Sequence, residues 1–499
     1  MTAHDVKFSR SRAVIDRPYR RRSGILLGVL FSCGIWSMVN LAQQRPDRTR
    51  PPAPGPAPQL RLPPIQKRTL SNGLAVWVVE AHEVPLVQIN LLVKAGNGDD
   101  PSGSFGVASM TAAMLDGGAG SRSALEIADS VEFLGASLTT SASFDASAVR
   151  LNVPVARLQE ALPIMAEVAL RPTFPEKELS RLREERNIAL VQARDDPSAV
   201  ANLAFSRVVF GADHRYGIGP NGTEATLKAI LPQNLRAFHA AMYRPSNAIL
   251  IVAGDVTLGA VVPQLEKHFG AWRAAGPVTR PAVPQAQAPT QSQITIIDMP
   301  SAAQSQIRIG GVGVQRSTPD YFPLQVLNAI LGGSFTSRLN QNLREEHGYS
   351  YGVSSRFEMR RSPGPFITGG GVQTDKTAEA IREFFNELSG IAKPVGVDEL
   401  TKAKNYIALG YPGDFETIGD LSARLEELAV YNLPEDYFNR YIANIQAVSA
   451  DAVLKAASTY IQPRRFAVVV AGDRKVIEPG IRALNLAPLR VMTLDDVPR

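Results

Sequence analysis

Cysteine is nearly absent from the sequence. Cys33 is the only one in 499 residues, which excludes an intrachain disulfide and a cysteine-based metal site. Histidine is scarce as well, and none of His4, His82, His214, His239, His268 and His347 lies four residues from another. No single helix can therefore present the pair of imidazoles that a helical zinc site requires. There is no Gly-x-Ser-x-Gly elbow, no phosphate-binding loop and no dinucleotide fingerprint, and the glycine run at 368–371 (TGGG) opens none of them. The body of the chain also lacks a basic patch. The net charge of +6 arises in residues 1–66, where eleven Lys/Arg oppose three Asp/Glu, a surplus of eight that leaves 67–499 at about −2. Nucleic acid is therefore not an expected partner.

The length calls for two or more domains, and the composition is that of a globular protein. Residues 1–22 form a basic tail, with Lys7, Arg10, Arg12, Arg17, Arg20, Arg21 and Arg22 against Asp5 and Asp16. Residues 24–42 are uncharged and mostly apolar, and as a helix they would extend about 28 Å, close to the hydrocarbon thickness of a bilayer. A basic flank ahead of such a run keeps the N-terminus cytoplasmic and exports the rest of the chain. Residues 23–44 read either as an uncleaved anchor or as a signal peptide cut near Asn40-Leu41-Ala42, and the length of the run favours the anchor. A lipobox at Leu30-Phe31-Ser32-Cys33 is a weaker reading, because the apolar run continues past the cysteine. Residues 45–66 hold eight prolines and read as an extended spacer. The expected location is periplasmic or cell-envelope, held at the inner membrane by residues 24–42.

Residues 67–275 read as the first folded half. Leu70-Ser71-Asn72-Gly73-Leu74 suggests a tight turn between strands, 75–80 and 86–94 read as apolar strands, 106–210 as mainly helical, and 248–253 as a returning strand. Residues 276–293, rich in Pro, Gln and Ala, read as a linker. Residues 294–490 then look like the first half again. Gly117-Gly118 recurs as Gly332-Gly333 after 215 residues, Ile188-Ala189-Leu190 as Ile407-Ala408-Leu409 after 219, and Pro245 with Gly254-Asp255 as Pro463 with Gly472-Asp473 after 218. Three matches in one order at nearly one offset argue for duplication. The expected fold is α+β, with two tandem homologous halves, each combining a sheet with helices. Ile381, Phe384, Phe385 and Leu388 mark one amphipathic helix face in the second half.

The chemistry-bearing stretch is 331–353, LGGSFTSRLNQNLREEHGYSYGV. Paired glycines lead into a short helix with Leu339 and Leu343 on one face, and Gly348 follows its last turn as a left-handed cap. Tyr351, Val353, Ser355, Phe357 and Met359 then alternate with polar or small residues, as in a half-buried strand. The turn brings Arg344 and Tyr351 towards one region, and both are donors suited to a peptide carbonyl. Gly332-Gly333, Ser337-Arg338-Leu339, Leu343-Arg344 and Tyr351 resemble a recurring run in the C-terminal half of the pitrilysin/insulinase metallopeptidases, which include the mitochondrial processing peptidases. The resemblance covers about residues 67–473 and implies tandem α+β halves.

The same resemblance implies a His-x-x-Glu-His zinc motif on a helix of the first half, where the glutamate activates water, and a further glutamate on a later helix. The matching segment is 106–115, GVASMTAAML. Ser109 and Ala113 stand at the histidine positions and Ala112 at the glutamate position. Ala189, counted back from Asp195-Asp196-Pro197, stands at the distal glutamate, and 186–193 contains no carboxylate in any register. Alanine offers no lone pair, and a neutral serine is a poor zinc ligand. No cofactor is expected in this chain.

Loss of the metal residues with retention of Gly332, Gly333, Arg344 and Tyr351 suggests divided labour. On this reading the chain is the substrate-binding, non-catalytic subunit of a two-chain zinc peptidase, and a zinc-bearing homologous partner completes the heterodimer. Arg344 and Tyr351 would serve the partner's site, Gly332, Gly333, Arg344 and Tyr351 would contact the peptide, and zinc would sit in the partner. The alternative is a non-enzymatic scaffold or peptide-binding protein at the cell envelope. A self-sufficient enzyme of other chemistry would need a nucleophile–base constellation gathered from distant residues.

Overall fold

The computed structural model describes residues 55–56, 58, 60–274, 276–286 and 289–497. The basic tail, the apolar run at 24–42 and most of the first part of the proline-rich spacer lie outside them. No described helix is long and apolar enough to cross a membrane.

Strands β1 (Gln66–Thr69), β2 (Ala75–Glu80), β3 (Leu86–Val93), β4 (Ser137–Ala142), β5 (Ser147–Pro154) and β6 (Ala248–Gly254) form a six-stranded sheet in the order β1-β2-β6-β3-β5-β4. Strands β7 (Gln293–Asp298), β8 (Gln304–Val312), β9 (Val353–Phe357), β10 (Pro365–Gln373), β11 (Ala467–Gly472) and β12 (Leu489–Met492) form a second, in the order β12-β7-β11-β8-β10-β9. The two orders superimpose, and so do the strand directions. β2 and β7 run parallel to β6 and β11, while β3 and β8 run antiparallel to them. Only the edge differs: β1 lies antiparallel to β2, whereas β12 arrives from the C-terminal end and lies parallel to β7. The duplication suggested by three short matches is thus a repeat of topology.

The hairpin β4–β5 falls inside the stretch expected to be mainly helical. β4, SLTTSA, is an edge strand of small and polar residues with no buried position, so it carries little of the apolar alternation that identifies a strand.

Six helices position the candidate site and join the halves: α1 (Val107–Ala113), α2 (Glu176–Ala193), α3 (Pro197–Phe210), α4 (Tyr321–Leu331), α5 (Val397–Gly410) and α6 (Ile418–Tyr431). Two of them cross between the halves. Leu421, Leu425, Leu428 and Ala429 of α6 pack with Val79, Leu92, Ile249 and Ile251 of the first sheet. Reciprocally, Val200, Ala201, Ala204 and Phe205 of α3 pack with Ile297, Ile367, Val469 and Ala471 of the second. Each sheet is therefore covered on one face by its own helices and on the other by a helix of the other half. This explains why β6 (AILIVAG) and β11 (AVVVAG) are buried at every position, since strands covered on both faces read as unbroken apolar runs.

The same exchange buries a polar ladder. Along β3, Val87, Ile89, Leu91 and Val93 enter the first half's own core, while Gln88 and Asn90 lie on the opposite, α6 side of the strand. Glu426 on α6 accepts from Asn90 Nδ2 at 2.7 Å and is gripped by Arg150 through Nε at 2.8 Å and Nη2 at 2.6 Å. Gln88 donates to Asn90, and Asn152 donates to Gln88, so the buried amides are satisfied in series. A second link between the halves is Arg361, which contacts Asp99 at 2.8 Å and Asp145 at 3.3 Å.

The described part of 276–292 contains neither helix nor strand, yet it is fastened to the first half. Arg280 pairs with Asp99 at 3.1 Å and donates to Asn247 at 2.8 Å, and Arg215 donates to the Ala282 carbonyl at 3.0 Å.

Candidate functional site

Helix α1 is fixed at its N-terminus and buried along most of its surface. Asp100 accepts from the backbone N–H groups of Gly106 and Ala108, both at 2.7 Å, and so fixes the helix N-terminus. Burial pushes the Asp100 carboxyl up to about 7, against the opposing pull of those donors. Val107, Ala108, Met110, Thr111 and Ala112 are buried, leaving Ser109 and Ala113, one turn apart, half-exposed on the same side. Those are the two positions at which the resemblance places histidines.

Helix α2 reaches this point through Arg186, whose Nη2 donates to the Ser109 carbonyl at 3.1 Å. Ala189 stands three residues further along, exposed to solvent. The four positions therefore lie on neighbouring helices, but their chemistry does not fit zinc. The Ser109 hydroxyl is engaged with Asn221 Oδ1 at 2.9 Å, and the other three side chains are methyl groups. A cation also stands beside them: Arg186 is largely buried, its Nη1 has no partner, and desolvation pushes its guanidinium down to about 10. A positive charge there opposes a divalent metal. Among the described residues, no group of three or more His, Cys, Asp or Glu side chains is placed to hold one. Sequence reasoning missed Arg186; the signal was a basic residue three positions before Ala189, where the resemblance places a glutamate.

In the second half, Gly332 and Gly333 close α4. Their N–H groups both donate to the Asn328 carbonyl, at 2.9 and 2.6 Å. A Cβ on Gly332 would come within 2.6 Å of the Ser355 backbone nitrogen on β9, so the glycine is required by close packing. The chain continues through Arg338–Asn340 into a wide π-helical turn, Gln341–Glu346, with Leu339 and Leu343 fully buried. Such turns re-aim side chains and are frequent at functional sites. Gly348 takes φ +66°, the left-handed cap expected for it.

This turn brings Arg344 and Tyr351 together. The Arg344 guanidinium lies 5.2 Å from the Tyr351 ring centroid and 4.3 Å from that of Phe335, so two aromatic rings flank the cation. Phe335 is a contributor that sequence reasoning also missed. It is 62% exposed, and its only signal was an aromatic residue immediately after the glycine pair and Ser334. Tyr351 departs from expectation. The strand begins only at Val353, and Tyr351, two residues earlier, is 88% exposed instead of entering the alternation. Ser350 causes this, because its hydroxyl donates to the Gly371 carbonyl at 2.6 Å and turns the chain before pairing starts. No hydrogen bond engages the Tyr351 hydroxyl among the described residues. His347 stacks on Tyr349 at 4.9 Å, apart from the Arg344 pair.

Duplicated α+β halves with exchanged helices place the chain in a class of peptidase-like folds. The chain belongs to the M16 peptidase family: residues 76–207 match the insulinase (peptidase family M16) description, and residues 229–407 match the peptidase M16 inactive domain. Among its relatives, the uncharacterized zinc protease YmxG of Bacillus subtilis is 26% identical over 64% of this chain and 77% of its own length. An uncharacterized zinc protease of Mycobacterium tuberculosis is 24% identical over 84% of this chain and 96% of its own. Among solved structures, a peptidase M16 inactive domain from Pseudomonas fluorescens superimposes with a TM-score of 0.76 at 26% identity, over 82% of this chain and 97% of that one. A Helicobacter pylori protease shares the fold, with a TM-score of 0.75 at 21% identity over 82% and 100% of the two chains.

Proposed function

We propose that this chain is the non-catalytic, substrate-binding subunit of a two-chain zinc peptidase. The observation that carries the reading is the pairing of an exposed, unengaged Tyr351 hydroxyl with a ring-flanked Arg344, in a chain whose metal positions hold Ser109, Ala112, Ala113 and Ala189. The names of relatives, zinc proteases on one side and an inactive domain on the other, fit a family in which the labour is divided. The partner is a homologue that retains the zinc motif and supplies the metal, which activates water for peptide hydrolysis.

The residues of this chain then bind and orient. Phe335 holds the Arg344 guanidinium from one side and Glu345 pairs with its Nε at 3.3 Å, which leaves the terminal N–H groups for the peptide backbone. Tyr351 donates to the peptide carbonyl oxygen as that oxygen gains charge. Gly332 and Gly333 keep the α4 end tight against β9, which sets the position of the turn. The test is a comparison of wild-type and Tyr351→Phe chains copurified with the zinc-bearing partner. Removing one donor aimed at a developing oxyanion costs about 3 kcal/mol, two to three decades in kcat, with assembly unchanged. Equal rates in the two complexes would remove Tyr351 from the chemistry and put the scaffold reading ahead.

Export belongs to the same proposal, with residues 24–42 as an inner-membrane anchor and the body in the periplasm. A phosphatase fused after Gln66 should be active; an inactive fusion alongside an active cytoplasmic reporter would reverse the topology.

A further inference from the structure

A cavity of about 660 Å³ in the first half shares no residue with the Ser109–Ala189 positions or with the turn that carries Arg344. It opens where the helices Leu158–Leu170 and Leu258–Phe269 both end, beside the small hairpin that pairs Gly118–Ala119 with Arg122–Ser123. Its charged lining sets Arg122, Arg171, Lys267 and Arg273 against Glu167 alone, a surplus of three positive charges. The two helix C-termini each contribute about half a negative charge, which leaves a surplus of about two. The four cations are scattered between positions 122 and 273, so no charged run marks them in a body that is slightly acidic as a whole.

Glu167 organises this charge without neutralising it. The carboxylate is largely buried, and it accepts from Arg122 Nη1 and, at 2.8 Å, from Arg171 Nη2. One carboxylate thus holds two guanidinium groups, each with further N–H donors in a planar fork. Gly120 permits the arrangement: at φ +57° it passes directly over Glu167, where a Cβ would collide with Oε1. Lys267 is exposed and forms no hydrogen bond or ion pair among the described residues. Burial and the adjacent Lys267 hold His268 below its ordinary value of 6.5, so the imidazole adds a neutral polar group to the lining. The half-buried Trp272 ring, with Pro163 and Leu170, supplies an apolar wall.

We propose that this cavity binds a phosphate-bearing small molecule, with its phosphoryl oxygens taken by Arg122, Arg171 and Lys267 and its non-polar part laid against Trp272, Pro163 and Leu170. Guanidinium forks match the oxygens of a phosphoryl group, and the surplus of charge matches its negative charge. The volume suits a small molecule. A soluble phosphate ester and a lipid headgroup share this chemistry and differ in charge, since the monoester carries up to two charges and the diester headgroup one. The site is independent of the peptidase reading, because it uses none of the residues on which that reading stands.

The test is titration calorimetry on the full chain with two probes, phenyl phosphate and, below its micelle concentration, dihexanoyl-phosphatidylglycerol. Phenol and dihexanoyl-phosphatidylcholine are their counterparts without net charge. At least one probe should bind about tenfold more tightly than its counterpart, and the tighter probe assigns the source, soluble ester or lipid headgroup. Lys267→Glu should weaken that probe about tenfold. Because Lys267 is exposed and unbonded, the urea midpoint should stay where it is. Arg122→Gln with Arg171→Gln should abolish binding. Tryptophan fluorescence should change on binding, and Trp272→Phe should remove that change, which locates the probe in this cavity. Absence of saturable binding by both probes, affinities equal to those of the counterparts, an affinity untouched by Lys267→Glu, or a fluorescence change that survives Trp272→Phe would overturn the proposal. None of these readouts needs a partner or turnover.

Discussion

The cross-docking of α6 rests on Glu426, and its removal should show how the two halves hold together. Glu426 is buried and Arg150 half-buried, so Glu426→Ala leaves a guanidinium partly shielded from water and facing an empty socket. Breaking a buried pair from one side costs about 3–5 kcal/mol, and the partial exposure of Arg150 lowers this to about 2 kcal/mol. The Asn90 amide also loses its acceptor, which adds about 1 kcal/mol. The expected loss is therefore about 3 kcal/mol in a urea titration. Arg150→Met alone should cost about 2 kcal/mol, because it strands the carboxylate instead. Combining Glu426→Leu with Arg150→Met should cost only about 1 kcal/mol, since no charge is left unpaired. Two probes sharpen the experiment. Of the three tryptophans, Trp77 and Trp272 lie in the first half, Trp36 precedes it and the second half has none, whereas circular dichroism monitors both halves. Exchanged helices require both signals to change at one midpoint in the wild type. A double variant that loses the sum of the single losses, or halves that unfold separately in the wild type, would refute the reasoning.

Elemental analysis after mild chelation should find no stoichiometric zinc in the purified chain, and one tightly held zinc per chain would contradict the chemistry of Ser109, Ala112, Ala113 and Ala189. Gly332→Ala should destabilise by about 1–3 kcal/mol through collision with the Ser355 backbone, without φ strain because Gly332 sits at −161°; an unchanged urea midpoint would show that β9 yields freely. His239 bonds the Ala169 carbonyl at 2.9 Å, stacks on Tyr243, and is held below its ordinary value of 6.5 by burial. A depressed folded-state pKa means the unfolded chain takes up the proton first, so stability is full above about 6.5 and falls as the pH drops below it. His239→Gln should flatten that part of the pH–stability curve, and an unaltered slope would assign it to other groups.

Much of this protein was legible in its residues because the relevant signals are local. Apolar runs at 75–80, 86–93 and 248–254 specify strands wherever they end up, and a glycine after a helical turn specifies its cap at Gly348. The duplication and the residue types at Ser109, Ala112, Ala113 and Ala189 are likewise properties of the chain alone, since no folding can give Ala112 a lone pair. The edge strand β4 stayed hidden because its small polar residues bury almost nothing. Only the tertiary structure decided which half covers which face. Gln88 and Asn90 alternate with apolar neighbours as solvent-facing residues would, and nothing within β3 tells that Glu426, more than 330 residues away, will satisfy Asn90. The placement of Arg186 beside Ser109, the Phe335–Arg344–Tyr351 stack and the exposure of Tyr351 are tertiary facts of the same kind. Periodicity determines whether a face is apolar or polar, but the partner that meets the face is chosen by the packing of elements far apart in the chain.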